Sequence, residues 1–444
     1  MEYEELVKEI LGKFKKAHSD AEVFLQTGEQ LNIDVREGKV ENLKQAGSKG
    51  LGIRVLRNKK MSFVDSTDFS KGSVDALIDE ALTLAGMASE DEFNVLVQSA
   101  KATHSPAIYD PEIEKIPIEK KIELLVEMEK KGLSYDSLIT KSGGCAYSNS
   151  WNARVVGNTL GTFASYRESY FFMKASVVAE KGASQQPGEY ETSSRFFSGL
   201  MDADRAAANA GYRAAVMVGG EPVKTQRAPV IFDRLTGERL LDGVASALNG
   251  EQVELQRSFL AGKLGQKIGS PLVTITDDGI MEKGNASAPV DGEGVPTQKR
   301  VVIKEGVLKG YMYNTRAAFR VKTSSTGNGV RWGYGDLPGI GAHNFYLAPG
   351  GLTAEEIVKG TDKGLYVLQT IGFGVDSESG GFSIGASGVW VEGGKIVAPV
   401  ARVTVASSML EMLGGIDAVA GDLVLDRGMS CPTFRIKEMM IGGA

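Results

Sequence analysis

Apolar residues first recur at helical spacing. Leu6, Val7, Ile10, Leu11 and Phe14 share one face of residues 2–17, which predicts an amphipathic helix. The pattern then switches to strand-like runs, Ala21 to Leu25 and Gln30 to Val35, and Glu37-Gly38-Lys39 reads as a tight turn into Val40 to Leu43. Gly50 to Leu56 and Met61 to Val64 predict a hairpin around Asn58, and Val74, Leu77, Ile78, Ala81, Leu82 and Ala85 a second helix over 73–87. Residues 89–116 are acidic, small and proline-containing and read as a connector, after which Pro117 opens a helix that runs to Gly132. Strands are expected at Leu138 to Thr140, Ala153 to Val156 and Ser169 to Val178, and an alanine-rich helix from Asp202 to Met217 stops at Gly219-Gly220.

Helix followed by antiparallel strands thus occurs twice, over 1–88 and 117–220, within one N-terminal α+β domain of residues 1–222. The polar stretch Glu221 to Arg227 reads as the boundary to a second domain, 227–444. There the pattern predicts a strand at Pro229 to Phe232, a helix from Leu235 to Leu248, and a buried strand from Pro271 to Ile275 running into an Asp277-Asp278-Gly279 turn. Hairpins are expected around Glu305-Gly306 and Gly393-Gly394, and helices at 354–359 and 407–413. Helices and hairpins without regular β-α-β alternation argue for α+β architecture, with a glycine-rich, β-dominated C-terminal domain.

Composition narrows the function. The 444 residues carry 42% hydrophobic and 24% charged side chains, and no apolar run approaches the roughly 18–20 residues of a membrane span. The N-terminal stretch is charged throughout and lacks a signal-peptide core, so a cytoplasmic protein is expected, with no membrane partner. Net charge is -6 and no Lys/Arg cluster stands out, which argues against direct nucleic-acid binding. The two cysteines, Cys145 and Cys431, read as reduced thiols, Cys145 as a packed strand residue. The 55 glycines are densest after Gly243 and suit tight turns or a backbone-lined cleft.

No local motif for chemistry is present. The three histidines, His18, His104 and His343, are isolated from one another, and no helix carries two of them on one face. No G-x-S-x-G elbow or phosphate-binding loop occurs, and no base stands beside a candidate serine or cysteine nucleophile, so an independent serine or cysteine hydrolase is disfavoured. Thr326, Gly327, Asn328 and His343 lie in glycine-rich settings that could border a substrate cleft, the loop around Gly327 offering backbone amides. Asp277 and Asp278 resemble an acidic pair for a metal, but a turn-forming role is the more economical account.

Ordered segments now carry a resemblance. Ser270-Pro271-Leu272-Val273-Thr274-Ile275-Thr276-Asp277-Asp278-Gly279, Asp291 to Thr297, Ser325 to Asn328, Asn344 to Gly350, Val35 to Glu41 and Gly50 to Val55 resemble the TldD/PmbA family, over nearly the whole chain. The resemblance implies a two-domain α+β protein. It also implies a cytoplasmic peptidase pair, a TldD-type with a PmbA (TldE) type subunit, acting on unfolded or small peptides. Some members bear the name modulator of DNA gyrase. The TldD type binds zinc through HExxxH on a helix before the SPLVT strand, with a later cysteine as third ligand. Counting back from Ser270 places that motif on Leu241 to Ser246. Leu241 and Ser246 stand at the ligand positions and Asp242 at the general-base position. Leucine cannot bind zinc and serine is a poor ligand. Cys431 falls later than the third ligand is expected, and that role is not carried over to it. The chain therefore resembles the PmbA type: no catalytic residue or metal of its own, zinc expected in a TldD-type partner, and a share in the peptide cleft. A homodimeric peptide-binding or adaptor protein without a peptidase partner is the alternative.

Overall fold

A computed structural model describes residues 2–98 and 101–444; within the connector, Ser99 and Ala100 lie outside the described residues. The N-terminal half is built from two runs of helix, three strands and helix. The first is α1 (Glu2–Lys16), β1 (Asp20–Arg36), β2 (Lys39–Arg57), β3 (Lys60–Ser66) and α2 (Lys71–Met87). The second is α3 (Ile118–Leu133), β4 (Ile139–Asn158), β5 (Phe163–Lys181), β6 (Ser184–Ser194) and α4 (Ala203–Met217). The six strands form one antiparallel sheet in the order β3-β2-β1-β4-β5-β6, so the runs meet along β1 and β4. One core lies under α1 and α2, around Val7, Ile10, Phe14, Ile53 and Ala81. The other lies under α3 and α4, around Leu125, Met128, Tyr147, Phe171 and Ala207.

The strands are longer than the local patterns suggest. The runs at 21–25 and 30–35 are one strand, as are those at 40–43 and 50–56 and those at 138–140 and 153–156. Polar stretches within them, such as Ser148 to Asn152, remain strand because both neighbours complete their ladder: Asn149 pairs with Leu31 on one side and Phe171 on the other. β6 escapes the pattern through Pro187 and Gly188; a side chain at Gly188 would strike the α4 backbone at Ala210, so glycine lets this strand lie against the helix. Glu37 and Gly38 both take positive φ, the geometry of a two-residue hairpin turn between β1 and β2.

Beyond Met217 the chain enters a six-stranded sheet. β7 (Gln226–Phe232) lies between strands Lys363–Val375, parallel to it, and Phe434–Gly442, antiparallel to it. Lys395–Ser408 pairs with both Gly381–Glu392 and Phe434–Gly442, which closes five of the strands into a small barrel. Helix α5 (Glu238–Ala247) packs Leu240, Leu241 and Val244 into the core shared with Phe232 and Phe434, whose rings stack at 5.5 Å. A smaller five-stranded sheet centres on β8 (Ile275–Asp278), between Lys299–Lys304 and Asn344–Leu347. β8 begins at Ile275, where the expected strand ends. Asp277 and Asp278 are consequently strand residues rather than a turn: both are buried and pair across from Phe345 and Asn344. Asp278 still accepts from Ile280 N at 3.3 Å to start the turn that follows, whereas Asp277 is held by side chains from elsewhere. The architecture is α+β, and no helix among the described residues is long and apolar enough to cross a membrane.

Candidate functional site

Helix α5 carries Leu241, Asp242 and Ser246, the residues on which the resemblance led us to expect the metal motif. Residues 241 and 246 are five apart, about 140° around a helix. Leu241 is fully buried in the barrel core, while Asp242 and Ser246 are exposed on the other side, four residues apart on one face. Cys431 packs against the start of the helix instead: a Cβ on Gly237 would lie 2.9 Å from its Sγ. Burial holds the Cys431 thiol well above its ordinary value, so it is a poor source of thiolate. These side chains do not fit a zinc ion. Among the described residues, no three His, Cys, Asp or Glu side chains are grouped to hold one.

One turn before Asp242 on the same face, the half-buried Glu238 borders a cavity of about 310 Å³ between the two halves of the chain. Its walls come from β6 (Glu189, Tyr190, Glu191), α4 (Arg213), α5 (Glu238, Arg239) and Arg427. Arg427 lies 2.9 Å from Glu191 and 3.1 Å from Glu238, and Asp426 sits 3.6 Å from Arg234. Burial pushes Glu238 up to about 7; Arg427 opposes this and the carboxylates of Glu191 and Asp426 add to it. Among the described residues, several atoms here, including Glu238 Oε1, both Asp426 carboxylate oxygens and Arg427 Nε, are buried with ion-pair contacts but without a hydrogen bond of ordinary geometry. Beside the cavity Arg213 donates to Asp233 and to the Leu368 carbonyl, which ties α4 to the barrel.

A second cleft, of about 350 Å³, lies between strands β4 and β5 and the loops of the smaller C-terminal sheet. Arg154, Tyr166 and Arg195 face Asp291, Arg331 and His343 across it, and Trp332 stands at its rim, 87% exposed. Of the four cleft residues expected from sequence, His343 alone lines this cavity. Asn328 stands behind it, with Nδ2 3.3 Å from His343 Nδ1 and donating to Asp277 Oδ2 at 2.8 Å. Thr326 donates to Asn328 Oδ1 at 2.6 Å. Gly327 takes a positive φ and its N–H goes to Ser325 Oγ; the Gly329 N–H goes to Asp291 Oδ2 at 2.8 Å. Those two amides are spent within the protein rather than offered to a ligand.

Asp277 also accepts from His343 N at 2.7 Å and lies 3.5 Å from its Nδ1. Burial alone would raise the Asp277 carboxyl, but its bonds to His343 and Asn328 outweigh that and hold it below the usual range. Burial would likewise lower His343, and the bond to Asp277 reverses the shift, leaving the imidazole raised. Asp291 is pushed up by burial and by the neighbouring Glu293 carboxylate.

The residues that sequence reading missed are those joining the halves. Arg54 on β2 donates to Glu22 on β1 at 3.0 Å and to Glu293 at 3.3 Å, and Arg331 donates to Glu22. Glu293 accepts in turn from Thr315 N at 2.7 Å. One signal was available: Glu22 and Arg54 are charged residues embedded in the apolar runs 21–25 and 51–56.

An α+β chain with this barrel, and a helix placed as α5 is, has the architecture of a PmbA/TldD-type metallopeptidase. The PmbA/TldA metallopeptidase domain 1 model matches residues 21–85, the central-domain model 111–218 and the C-terminal-domain model 225–443. The chain belongs to the PmbA/TldD metallopeptidase family. It is 28% identical to the metalloprotease PmbA of Escherichia coli O157:H7 over 441 residues, covering 99% of this chain and 96% of that one. It is also 28% identical to a TldD homologue of Haemophilus influenzae over 451 residues, 95% and 92% of the two chains. In fold it matches the crystal structure of TldE from Thermococcus kodakarensis with a TM-score of 0.91 at 23% identity, over 99% of this chain and all of that one. A Thermotoga maritima protein named as a candidate modulator of a DNA gyrase matches equally, TM-score 0.91 at 24% identity and the same coverage.

Proposed function

We propose that this chain is the non-catalytic, PmbA/TldE-type subunit of a cytoplasmic metallopeptidase pair acting on unfolded or small peptides. A TldD-type partner supplies the zinc, and this chain contributes to the substrate cleft. The carrying observation is α5. The first ligand position is Leu241, whose side chain has no donor atom and is sealed in the core, which leaves Ser246 without a partner ligand on this helix. The full-length similarity to PmbA supports the same reading. The cavity beside Glu238 and the cleft at His343 are its candidate contributions to peptide binding, each concave and lined by both halves of the chain.

The test is reconstitution. The purified chain is expected to hold no stoichiometric zinc and to leave casein fragments intact. Mixed with an HExxxH-bearing homologue from the same cell, it is expected to co-elute and to give chelator-sensitive cleavage. Stoichiometric zinc and cleavage by this chain alone would sink the proposal. A clean homodimer that captures no such homologue would favour the adaptor reading.

A further inference from the structure

Charge is unevenly matched across the cleft at His343. On the sheet side, Arg154 lies opposite Tyr166 and Glu168 opposite Asn152, all on the face of β4 and β5 turned away from Tyr147, Phe171 and the helices. Glu168 is shared. Arg154 lies 2.8 Å from one carboxylate oxygen and Arg195 3.2 Å from the other. Among the described residues neither arginine reaches a second carboxylate. The other bonds of Arg195 go to the carbonyls of Ser169, Gly284 and Ser287, whereas the Arg154 side chain keeps 23% of its surface open.

From the opposite wall, His343 turns Nδ1 back to Asp277 and Asn328. Its Nε2 has no partner among the described residues and is not sealed from solvent. Asp277 favours the charged ring, so Nε2 presents an N–H. The remaining charges nearby are taken up within the protein. Asp278 pairs with Lys299 at 3.0 Å, and Arg331 is held by Glu22 and the carbonyls of Gly292 and Asp336. Asp291 accepts from the N–H groups of Glu293, Val295 and Gly329, and burial beside Glu293 pushes it toward its neutral form. Arg154, Arg195 and the charged His343 thus face Glu168 and Asp277, with one positive charge over. A charge so nearly buried is costly unless it is paired.

We propose that this cleft binds a peptide through a carboxylate, which accepts from His343 Nε2 and from Arg154 and balances the unmatched charge. Asn152, Tyr170 and Ser287 line the cleft as hydrogen-bonding groups for the adjoining peptide units, and the exposed Trp332 at the rim offers its ring to the peptide body. A C-terminus and an acidic side chain share this chemistry. The inference rests on reading the cleft as a peptide site and adds which part of the peptide it holds.

The experiment is calorimetric titration of the full chain with acetyl-alanyl-alanine, the carboxamide of that dipeptide, and acetyl-alanyl-aspartyl-alanine carboxamide. Saturable binding of at least one of the two carboxylates is expected, and none of the dipeptide carboxamide. Binding of acetyl-alanyl-alanine identifies a chain terminus as a source, and binding of the aspartyl peptide an acidic side chain. Arg154→Gln leaves Glu168 its bond to Arg195 and is expected to weaken binding about tenfold; His343→Gln is expected to weaken it severalfold. Should these variants fail to fold, NMR of the native chain decides: the bound carboxylate must move the His343 titration to higher pH. Undiminished binding by Arg154→Gln, or a His343 titration unmoved at saturation, overturns the proposal. Equal binding of acid and carboxamide overturns it and leaves the peptide-site reading standing, whereas binding of none of the three overturns both.

Discussion

Arg54 of the N-terminal sheet donates to Glu293 of the C-terminal half at 3.3 Å, with both side chains almost wholly buried. The same guanidinium holds Glu22, which Arg331 approaches from the other half. The halves are therefore registered by charge as well as by apolar packing. Without Arg54, Glu22 keeps Arg331, but Glu293 is left buried with the Thr315 N–H and no cation bonded to it among the described residues. Arg54→Met is expected to cost about 3–5 kcal/mol, because two carboxylates lose their shared cation. Urea denaturation of the variant checks this, and a loss below about 1 kcal/mol would show that the network does not secure the junction.

Helix α5 gives a sharp contrast within six residues. Leu241→Ala empties part of the barrel core and is expected to cost about 2–5 kcal/mol. Asp242→Ala and Ser246→Ala, on the exposed face, should stay within about 0.5 kcal/mol of the native chain. Thermal melts of the three variants test whether the motif positions are divided between core and surface as described.

Glu238 predicts a dependence on pH. Its carboxyl is raised from 4.5 to about 7 by burial, so the folded chain holds this proton more tightly than the unfolded one. Its contribution therefore falls as pH rises from about 4.5 to about 7. Glu238→Gln cannot titrate. The stability of this variant relative to the native chain should accordingly improve with pH across that window. A flat difference between the two curves would place the titration elsewhere.

His343 predicts the opposite partner effect. Its pKa is raised above 6.5 because Asp277 outweighs the cost of burial. The stabilisation is fully present below 6.5 and is lost as pH rises through the folded value. Asp277→Asn removes the charge, so the His343 titration followed by NMR should move to lower pH, with a loss of about 1–3 kcal/mol in stability at pH 6. An unmoved titration would mean that Asp277 does not set the charge of the imidazole.

Much of the local structure is legible in the chain. α1, α2 and α4 follow from apolar spacing and stop signals, and Pro117 precedes α3 as its position suggests. The strands are where local reading falls short. Lys363–Val375 and Phe434–Gly442 carry no turn or alternation signal strong enough to mark them, yet both are barrel staves. Their hydrogen bonds go to β7 and Lys395–Ser408, partners remote in sequence. Strand pairing is non-local, so the evidence for it does not lie in any one window.

The sequence by itself determined the α+β class and the family resemblance, because each depends on residue identity or short-range periodicity. Only the tertiary structure decided that Leu241 faces the core and that Asp277 is a buried strand residue held by His343 and Asn328. Each of those depends on which side chains the fold brings within a few ångströms, and electrostatics and burial act on that distance, not on separation along the chain.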